Sequence, residues 1–247
     1  MVTPLLIQNY SVDERLFHVI NDAEKFEAGS KERALPLLLN LAETHSTLVY
    51  VGPKSGYAQI VVAKAAHLAG SKAVLFLQSF DDNETSMTDR ARAYNAIINY
   101  RGKSLLDIDK EAQAYIIQHG GYLVQFGLME EKICSSIEQA IRDEVSMTDF
   151  PSPVTRIWLA AGSCTLLNTL YKVFPHAHFL VIQVGKTIWP DMYNKHNTTI
   201  FKSELSFITP TTILPPYSSI ATYDAKIWSF VLRHGQSGDY ILNVGKE

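Results

Sequence analysis

The chain has 247 residues, of which 47% are hydrophobic and 19% are charged, and its formal net charge is −3. This composition excludes a disordered, collagen-like or coiled-coil chain, and the near-neutral balance of charge argues against a dedicated nucleic-acid coat. No apolar run approaches the roughly 20 residues that a membrane-spanning helix needs. The two cysteines cannot form a disulfide framework, so we expect a reduced, cytoplasmic protein.

The first third of the chain predicts a β-α-β unit. Residues 47–51 and 73–78 are short β-branched or aliphatic runs typical of buried strands, and the apolar spacing of 57–69 predicts the helix between them. Gly70 is placed to end that helix. A strand, a helix and a strand within about 30 residues indicate a parallel sheet. Upstream, residues 31–44 predict an amphipathic helix.

The middle of the chain is predicted to be mostly helical. Residues 81–89 are polar and predict a loop, whereas 122–126 predict a strand. The helices predicted here are 88–100, 104–121 and 130–145.

A second β-α-β unit is predicted at 156–184, with strands at its two ends and a helix at 166–174. Residues 187–216 contain four prolines and predict irregular structure. A helix at 223–234 and a strand at 240–244 follow. We therefore predict an α/β protein with mainly parallel sheets, a single two-lobed domain over 1–247. Its smaller lobe is expected at about 46–150, and its larger lobe from 1–45 together with 151–247.

Two small polar loops stand where a parallel sheet binds ligands, outside the carboxyl ends of its strands. They are residues 52–57 and 161–165, and each precedes a predicted helix whose N-terminus favours a phosphate or carboxylate. Simple helix capping explains either loop equally well. Neither loop matches the phosphate-binding pattern of nucleoside triphosphatases or the dinucleotide fingerprint.

Single residues leave several alternatives open. Lys31 begins a predicted helix, where its charge opposes the helix dipole, which suggests chemistry; a solvated surface lysine is the alternative. His176 and His178 lack a nearby acidic or cysteine partner, so we expect no metal site. Ser163 lacks the second glycine of a hydrolase nucleophile elbow.

Four motifs in order carry a resemblance to a known family. The chain reads GSKERAL at 29–35, VGPKSGY at 51–57, AGSC at 161–164 and YDAK at 223–226. This order resembles that of the fold-type-II pyridoxal-phosphate enzymes, which have the tryptophan synthase β-like fold. Within them it is most similar to the branch of aminocyclopropane-carboxylate deaminase and D-cysteine desulfhydrase.

The resemblance implies a role for each matched residue. Lys31 would form the Schiff base with pyridoxal 5'-phosphate and move the Cα proton. Asp224 would face the pyridine nitrogen, although outside this context it would be a first-turn acid of a helix. Ser55 and Tyr57 would lie near the substrate carboxylate or Cα. The cofactor phosphate would be held by Gly162, Ser163, Cys164 and Thr165.

The substrate loop departs from the family, since Gly56 stands where the family has Asn and Tyr57 where it has His. A narrower resemblance, to a compact group of phage-encoded pyridoxal-phosphate proteins, rests on SGYAQ at 55–59 and YDAKIW at 223–228. Some of that group are associated with hypermodified thymidine in viral DNA, which implies an amino-acid-decorated nucleotide, or DNA itself, as substrate in a host cytoplasm.

The resemblance implies decarboxylation, deamination or elimination at the α-carbon of an amino acid, in a homodimer. The alternative is a binding module that keeps the fold without the cofactor.

Overall fold

The chain is described by a computed structural model that covers residues 2–80, 85–185, 187–188, 193 and 196–246. It divides into two compact units. The terminal unit is Met1–Ser30 with Glu138–Glu247, and the middle unit is Lys31–Ile137. Within the described ranges, no helix combines the length and the apolar character needed to cross a bilayer.

Strands and helices alternate along most of the chain. The strands are β1 (Ile7–Val12), β2 (Arg15–Asn21), β3 (Thr47–Pro53), β4 (Lys72–Gln78), β5 (Ile97–Arg101), β6 (Tyr122–Val124), β7 (Arg156–Ala161), β8 (His178–Gln183), β9 (Thr198–Lys202) and β10 (Tyr240–Asn243). The α-helices are α1 (Asp22–Lys25), α2 (Leu35–Thr44), α3 (Ala58–Leu68), α4 (Ser86–Ala93), α5 (Leu105–His119), α6 (Glu131–Ser146), α7 (Thr165–Val173) and α8 (Lys226–His234). The 3-10 helices are Gly29–Ala34 and Phe126–Leu128.

The terminal unit contains a sheet with strand order β1-β2-β10-β7-β8-β9. The β1–β2 pair is an antiparallel hairpin, and the other neighbours are parallel. Its core packs Phe17 and Trp158 against Val231 of α8 and Ile241 of β10, all of them buried. This arrangement brings the carboxyl ends of β2, β7 and β10 to one edge of the sheet.

The middle unit contains a fully parallel sheet with strand order β5-β4-β3-β6. β3 is buried along nearly its whole length, as expected of a central strand covered on both faces. Val49 and Val51 of β3 form a core with Phe76 of β4 and Ile108 of α5. The prediction of an α/β protein with mainly parallel sheets is confirmed by these two sheets.

Four strands, β1, β2, β5 and β9, were not predicted from the sequence. The β1–β2 hairpin turns at Asp13 and Glu14, whose φ values of 49° and 62° lie in the region that favours glycine. Because neither residue is glycine, the sequence carries no turn signal at this position. β5 lies where a helix was predicted over 88–100, because α4 already ends before Asn95, whose φ is 61°. β9 lies inside the stretch 187–216 that was predicted to be irregular.

The predicted loop at 81–89 is also partly wrong, because α4 begins at Ser86 with the Thr85 side chain as its N-cap. Residues 81–84 lie outside the described residues. The helix predicted from residue 31 starts instead as the 3-10 helix Gly29–Ala34 and becomes α-helical only at Leu35.

The bounds of the two units differ from the predicted lobes of about 46–150 and 1–45 with 151–247. Residues 31–45 belong to the middle unit, because α2 packs against α3 and β3. Residues 138–150 belong to the terminal unit. There the Lys25 amine lies 3.0 Å from the buried Glu144 carboxylate, and the backbone N–H of Leu5 donates to the Thr148 hydroxyl at 2.9 Å.

Candidate active site

The loop predicted to hold a phosphate joins β7 to α7 in the terminal unit. α7 begins at Thr165, and the hydroxyl groups of Ser163 and Thr165 lie 3.1 Å apart. The first N–H groups of a helix have no partner within it, so this end carries partial positive charge. The loop therefore offers hydroxyl and amide donors to an anion.

Cys164 shapes this loop by its backbone. Its φ of 60° and ψ of 0° place a non-glycine residue in the left-handed region directly before α7. The thiol is buried, and burial raises the pKa of Cys164 above its ordinary value. The side chain is therefore a neutral packing group, and the contribution of Cys164 to anion binding comes from its main chain.

Tyr223 ties the loop to the segment that precedes α8. Its hydroxyl donates to the carbonyl of Ala160 in β7 at 3.3 Å, and a Cβ placed on Gly162 would lie 3.5 Å from the phenol oxygen. Burial raises the pKa of Tyr223, with a further contribution from the charge of Asp224, so the phenol stays a neutral donor. No role was predicted for Tyr223, although it lies in the same motif as Asp224.

Asp224 is a buried carboxylic acid at the same edge of the sheet, with 3% of its surface exposed. Its Oδ2 accepts a hydrogen bond of 3.1 Å from the backbone N–H of Gly245, whereas its buried Oδ1 has no hydrogen-bond partner among the described residues. Burial raises the pKa of Asp224 well above its usual range; the N–H groups of Gly245 and Val244 oppose that rise, and the charge of Asp22 adds to it. An unsatisfied buried oxygen is costly, so it suits a ligand that brings a hydrogen-bond donor.

Lys31 is the third residue of the 3-10 helix Gly29–Ala34 and belongs to the middle unit. Burial lowers the pKa of its amine to about 8, and no hydrogen bond or ion pair joins it to another residue in the described part of the chain. The next residue, Glu32, accepts a hydrogen bond of 2.7 Å from Lys64 of α3 and so ties this helix to α3. A desolvated amine of this kind is partly unprotonated near neutral pH and can act as a nucleophile.

The loop predicted to lie near the substrate follows β3 in the middle unit. The carbonyl of Lys54 accepts hydrogen bonds from Gln59 Nε2 at 2.6 Å and from Thr85 Oγ1 at 3.1 Å. Ser55 is partly exposed in the turn, whereas Tyr57 is buried, with 8% of its surface exposed. The side chains of Gln59 and Thr85 therefore fix the backbone of the loop, while the hydroxyl group of Ser55 remains accessible.

The sequence-predicted site residues fall into two sets. Lys31, Ser55 and Tyr57 belong to the middle unit. Asp224 and residues 162–165 belong to the terminal unit, where Tyr223, the neighbour of Asp224, hydrogen-bonds Ala160 and lies close to Gly162. Asp22 and Ser30, two buried polar residues of the terminal unit that precede Lys31, were not predicted as site residues.

No family model matches the chain, and no curated protein matches it significantly in sequence. Solved structures do match it in fold. An ACC deaminase homologue is 16% identical and has a TM-score of 0.80, with 98% of this chain and 89% of that chain covered. A threonine deaminase from T.th. is 17% identical and has a TM-score of 0.71, with 99% and 92% covered.

A third match is diaminopropionate ammonia lyase from Escherichia coli, solved in complex with an aminoacrylate-PLP azomethine reaction intermediate. It is 14% identical and has a TM-score of 0.67, with 100% of this chain and 84% of that chain covered. Identities this low establish the fold alone. The predicted fold is confirmed: this chain has the fold-type-II, tryptophan synthase β-like fold.

Proposed function

We propose that this chain is a pyridoxal-phosphate-dependent enzyme that acts at the α-carbon of an amino acid. The observation that carries the proposal is the buried Asp224, whose Oδ1 has no donor among the described residues. The pyridine nitrogen of the cofactor carries the kind of N–H that this oxygen lacks. The fold shared with an ACC deaminase homologue and a threonine deaminase supports the same cofactor and an amino-acid substrate.

Pyridoxal phosphate, when bound, supplies an electron sink for negative charge at the α-carbon of an amino acid. Lys31 would hold the cofactor aldehyde covalently and move a proton at that carbon, since its pKa of about 8 leaves roughly a tenth of the amine unprotonated at pH 7, far more than in an ordinary lysine. Asp224 would accept the pyridine N–H. The phosphate would lie on the donors of residues 162–165, at the start of α7.

Ser55 and Tyr57 would bind the substrate carboxylate and orient the α-carbon. Their loop is preorganised, because Gln59 and Thr85 already hold the carbonyl of Lys54. Preorganised donors lose little entropy when substrate binds, so this loop can favour one geometry for the reacting bond. The proposal covers loss of a proton, a carboxylate or an amine from the α-carbon.

A finer proposal concerns the substrate. The replacement of the Asn and His of the deaminase branch by Gly56 and Tyr57 argues against the deaminase substrates. We infer that an amino acid attached to a nucleobase is the substrate, as in phage thymidine hypermodification, on the basis of the narrower resemblance at 55–59 and 223–228. Mass spectrometry of nucleosides after incubation with amino-acid-modified DNA tests it. The homodimer and the cytoplasmic location stay predictions from the sequence.

The deciding experiment is reduction with borohydride in the presence of pyridoxal phosphate, followed by peptide mapping. Before reduction we expect absorbance near the violet end of the visible spectrum. After reduction we expect a single labelled lysine, Lys31. Lys226 is a matched competitor, because burial lowers its pKa too, but its amine is held by the carbonyls of Ser206 at 2.7 Å and Phe207 at 3.3 Å.

Lys31→Ala should abolish both the absorbance and the label while the protein remains folded. Label on Lys226, or a protein that stays colourless with added cofactor, contradicts the proposal. The second outcome favours a binding module that has kept only the fold.

A further inference from the structure

Asp22 and Ser30 form a buried pair in the terminal unit that the proposed function does not use. The Ser30 hydroxyl donates to Asp22 Oδ2 at 2.5 Å, and both residues are almost fully buried, with 2% of the surface of Asp22 and 1% of that of Ser30 exposed. A hydroxyl bound to a carboxylate is a strong, charge-assisted hydrogen bond. Ser30 is also the residue directly before Lys31.

The residue before Ser30 lies close to the segment that follows β10. Gly29 has a φ of 60°, and a Cβ placed there would lie 2.4 Å from the carbonyl oxygen of Val244. Gly245, the next residue after Val244, donates its N–H to Asp224 at 3.1 Å. The segment 244–245 therefore packs against Gly29 and also holds the acid of the proposed site.

Asp22 is positioned by the secondary structure around it. It is the first residue of α1 and directly follows β2, and its carbonyl accepts a hydrogen bond of 2.8 Å from the backbone N–H of Phe26. The carboxylate is thus anchored at the carboxyl end of a central strand. Through Ser30 it can hold the start of the 3-10 helix Gly29–Ala34 in one place.

We propose that Asp22 and Ser30 are a pair of positioning residues for Lys31: their hydrogen bond fixes the chain that leads into Lys31 and so keeps its amine in a desolvated place. This inference rests on the proposed function, in which Lys31 carries the chemistry. Without the hydrogen bond, the first turn of the 3-10 helix gains freedom and the amine gains contact with water.

The test is competitive acylation of lysine amines in the protein without cofactor, followed over a range of pH by mass spectrometry. In the unmodified protein we expect the Lys31 midpoint at about 8. Ser30→Ala should raise that midpoint by about one unit toward the ordinary lysine value of about 10.4, because water then reaches the amine. Asp22→Asn keeps an oxygen acceptor for Ser30, so its midpoint should rise less.

Ser104→Ala is the matched control. The Ser104 hydroxyl donates to Asp107 Oδ2 at 2.6 Å, so the chemistry and the distance are alike, but the pair is exposed at the start of α5. The Lys31 midpoint should not move in this variant. If Ser30→Ala does not fold, Ser30→Cys replaces it, since a thiol keeps the side-chain size but is a weak donor.

A folded Ser30 variant with an unchanged Lys31 midpoint overturns the inference. The acylation experiment needs no cofactor, so its result stands apart from the proposed function. Suppose that the protein forms no reducible bond with pyridoxal phosphate but the Ser30 variant shows the shifted Lys31 midpoint. That result would contradict the proposed function and still support the positioning role of Asp22 and Ser30.

Discussion

The carboxyl group of Asp224 accepts a hydrogen bond at Oδ2, whereas the described residues provide no donor for its buried Oδ1. A folded protein gains nothing from such a group, because burial removes its water and returns only part of the lost hydrogen bonding. Sites that bind ligands often carry this kind of cost. The residue is therefore expected to lower stability in the absence of its ligand.

Asp224→Asn should stabilise the protein without cofactor by about 1–2 kcal/mol at about pH 8. The folded-state pKa of Asp224 is raised, so above the unfolded value of about 3.9 the unfolded state loses its proton first and the stability of the parent falls. The advantage of Asp224→Asn should therefore grow as pH rises from about 4. Urea unfolding of both proteins at several pH values measures it.

Asp107→Asn is a control in which the change in stability is expected to have the opposite sign. The hydrogen bond from Ser104 lowers the pKa of Asp107, so this exposed acid favours folding once it is ionised. Its replacement should lose stability, and the loss should disappear at acid pH. If Asp224→Asn behaves in the same direction as this control, Asp224 is not an unsatisfied acid in the folded state.

At the residue scale, motif order was enough to single out Lys31 and Asp224 but not the groups around them. The partner of Ser30 is Asp22, and the phenol of Tyr223 reaches Ala160, 63 residues away in the chain. Contacts of this kind depend on which strand ends meet at a sheet edge. Strand pairing was not specified in the sequence analysis, so these partners could not be predicted.

The element that leads into Lys31 is a 3-10 helix with a glycine at its first position. Gly29→Ala should lower the free energy of unfolding by about 2–3 kcal/mol for two reasons. The new Cβ would lie 2.4 Å from the carbonyl oxygen of Val244, and alanine would have to adopt a φ of 60°, which is unfavourable for a side chain. Gly70→Ala separates these two causes. Gly70 has a similar φ of 70° but nothing within 4 Å of a Cβ, so we expect a loss of only about 1 kcal/mol.

Chemical denaturation of the two variants gives the comparison directly. Equal losses would show that close packing against Val244 contributes nothing and that backbone conformation alone explains the glycine. A larger loss in Gly29→Ala, together with weaker binding of pyridoxal phosphate, would show that this element supports both the fold and the site.

Elements with strong local patterns were predicted well, and those that depend on partners were not. The run at 47–51 and the apolar helix spacing after it predicted β3 and α3 closely. β5 and β9 are short and only partly buried, so their own residues carry little of the hydrophobic signal. Their position is set by pairing with β4 and β8, which local pattern does not encode.

At the scale of the whole molecule, the middle unit is one continuous stretch, whereas the terminal unit is built from both ends of the chain. The sequence predicted a division of this type because two β-α-β units were recognised. The unit bounds differ from the predicted ones, because α2 packs on its neighbours β3 and α3, whereas residues 138–150 make long-range contacts with Leu5 and Lys25.

The charge of the whole molecule bears on whether the proposed amino-acid-modified nucleobase is bound within duplex DNA or as a free nucleotide. The chain has 22 Lys and Arg against 25 Asp and Glu, so few counterions would be released if it bound duplex DNA. We expect unmodified duplex DNA to bind no tighter than about 100 μM at physiological salt, with little change between about 50 and 200 mM salt. Fluorescence anisotropy with a labelled duplex measures both. Micromolar binding that weakens steeply with salt would instead reveal a local basic surface and favour DNA over a free nucleotide or amino acid.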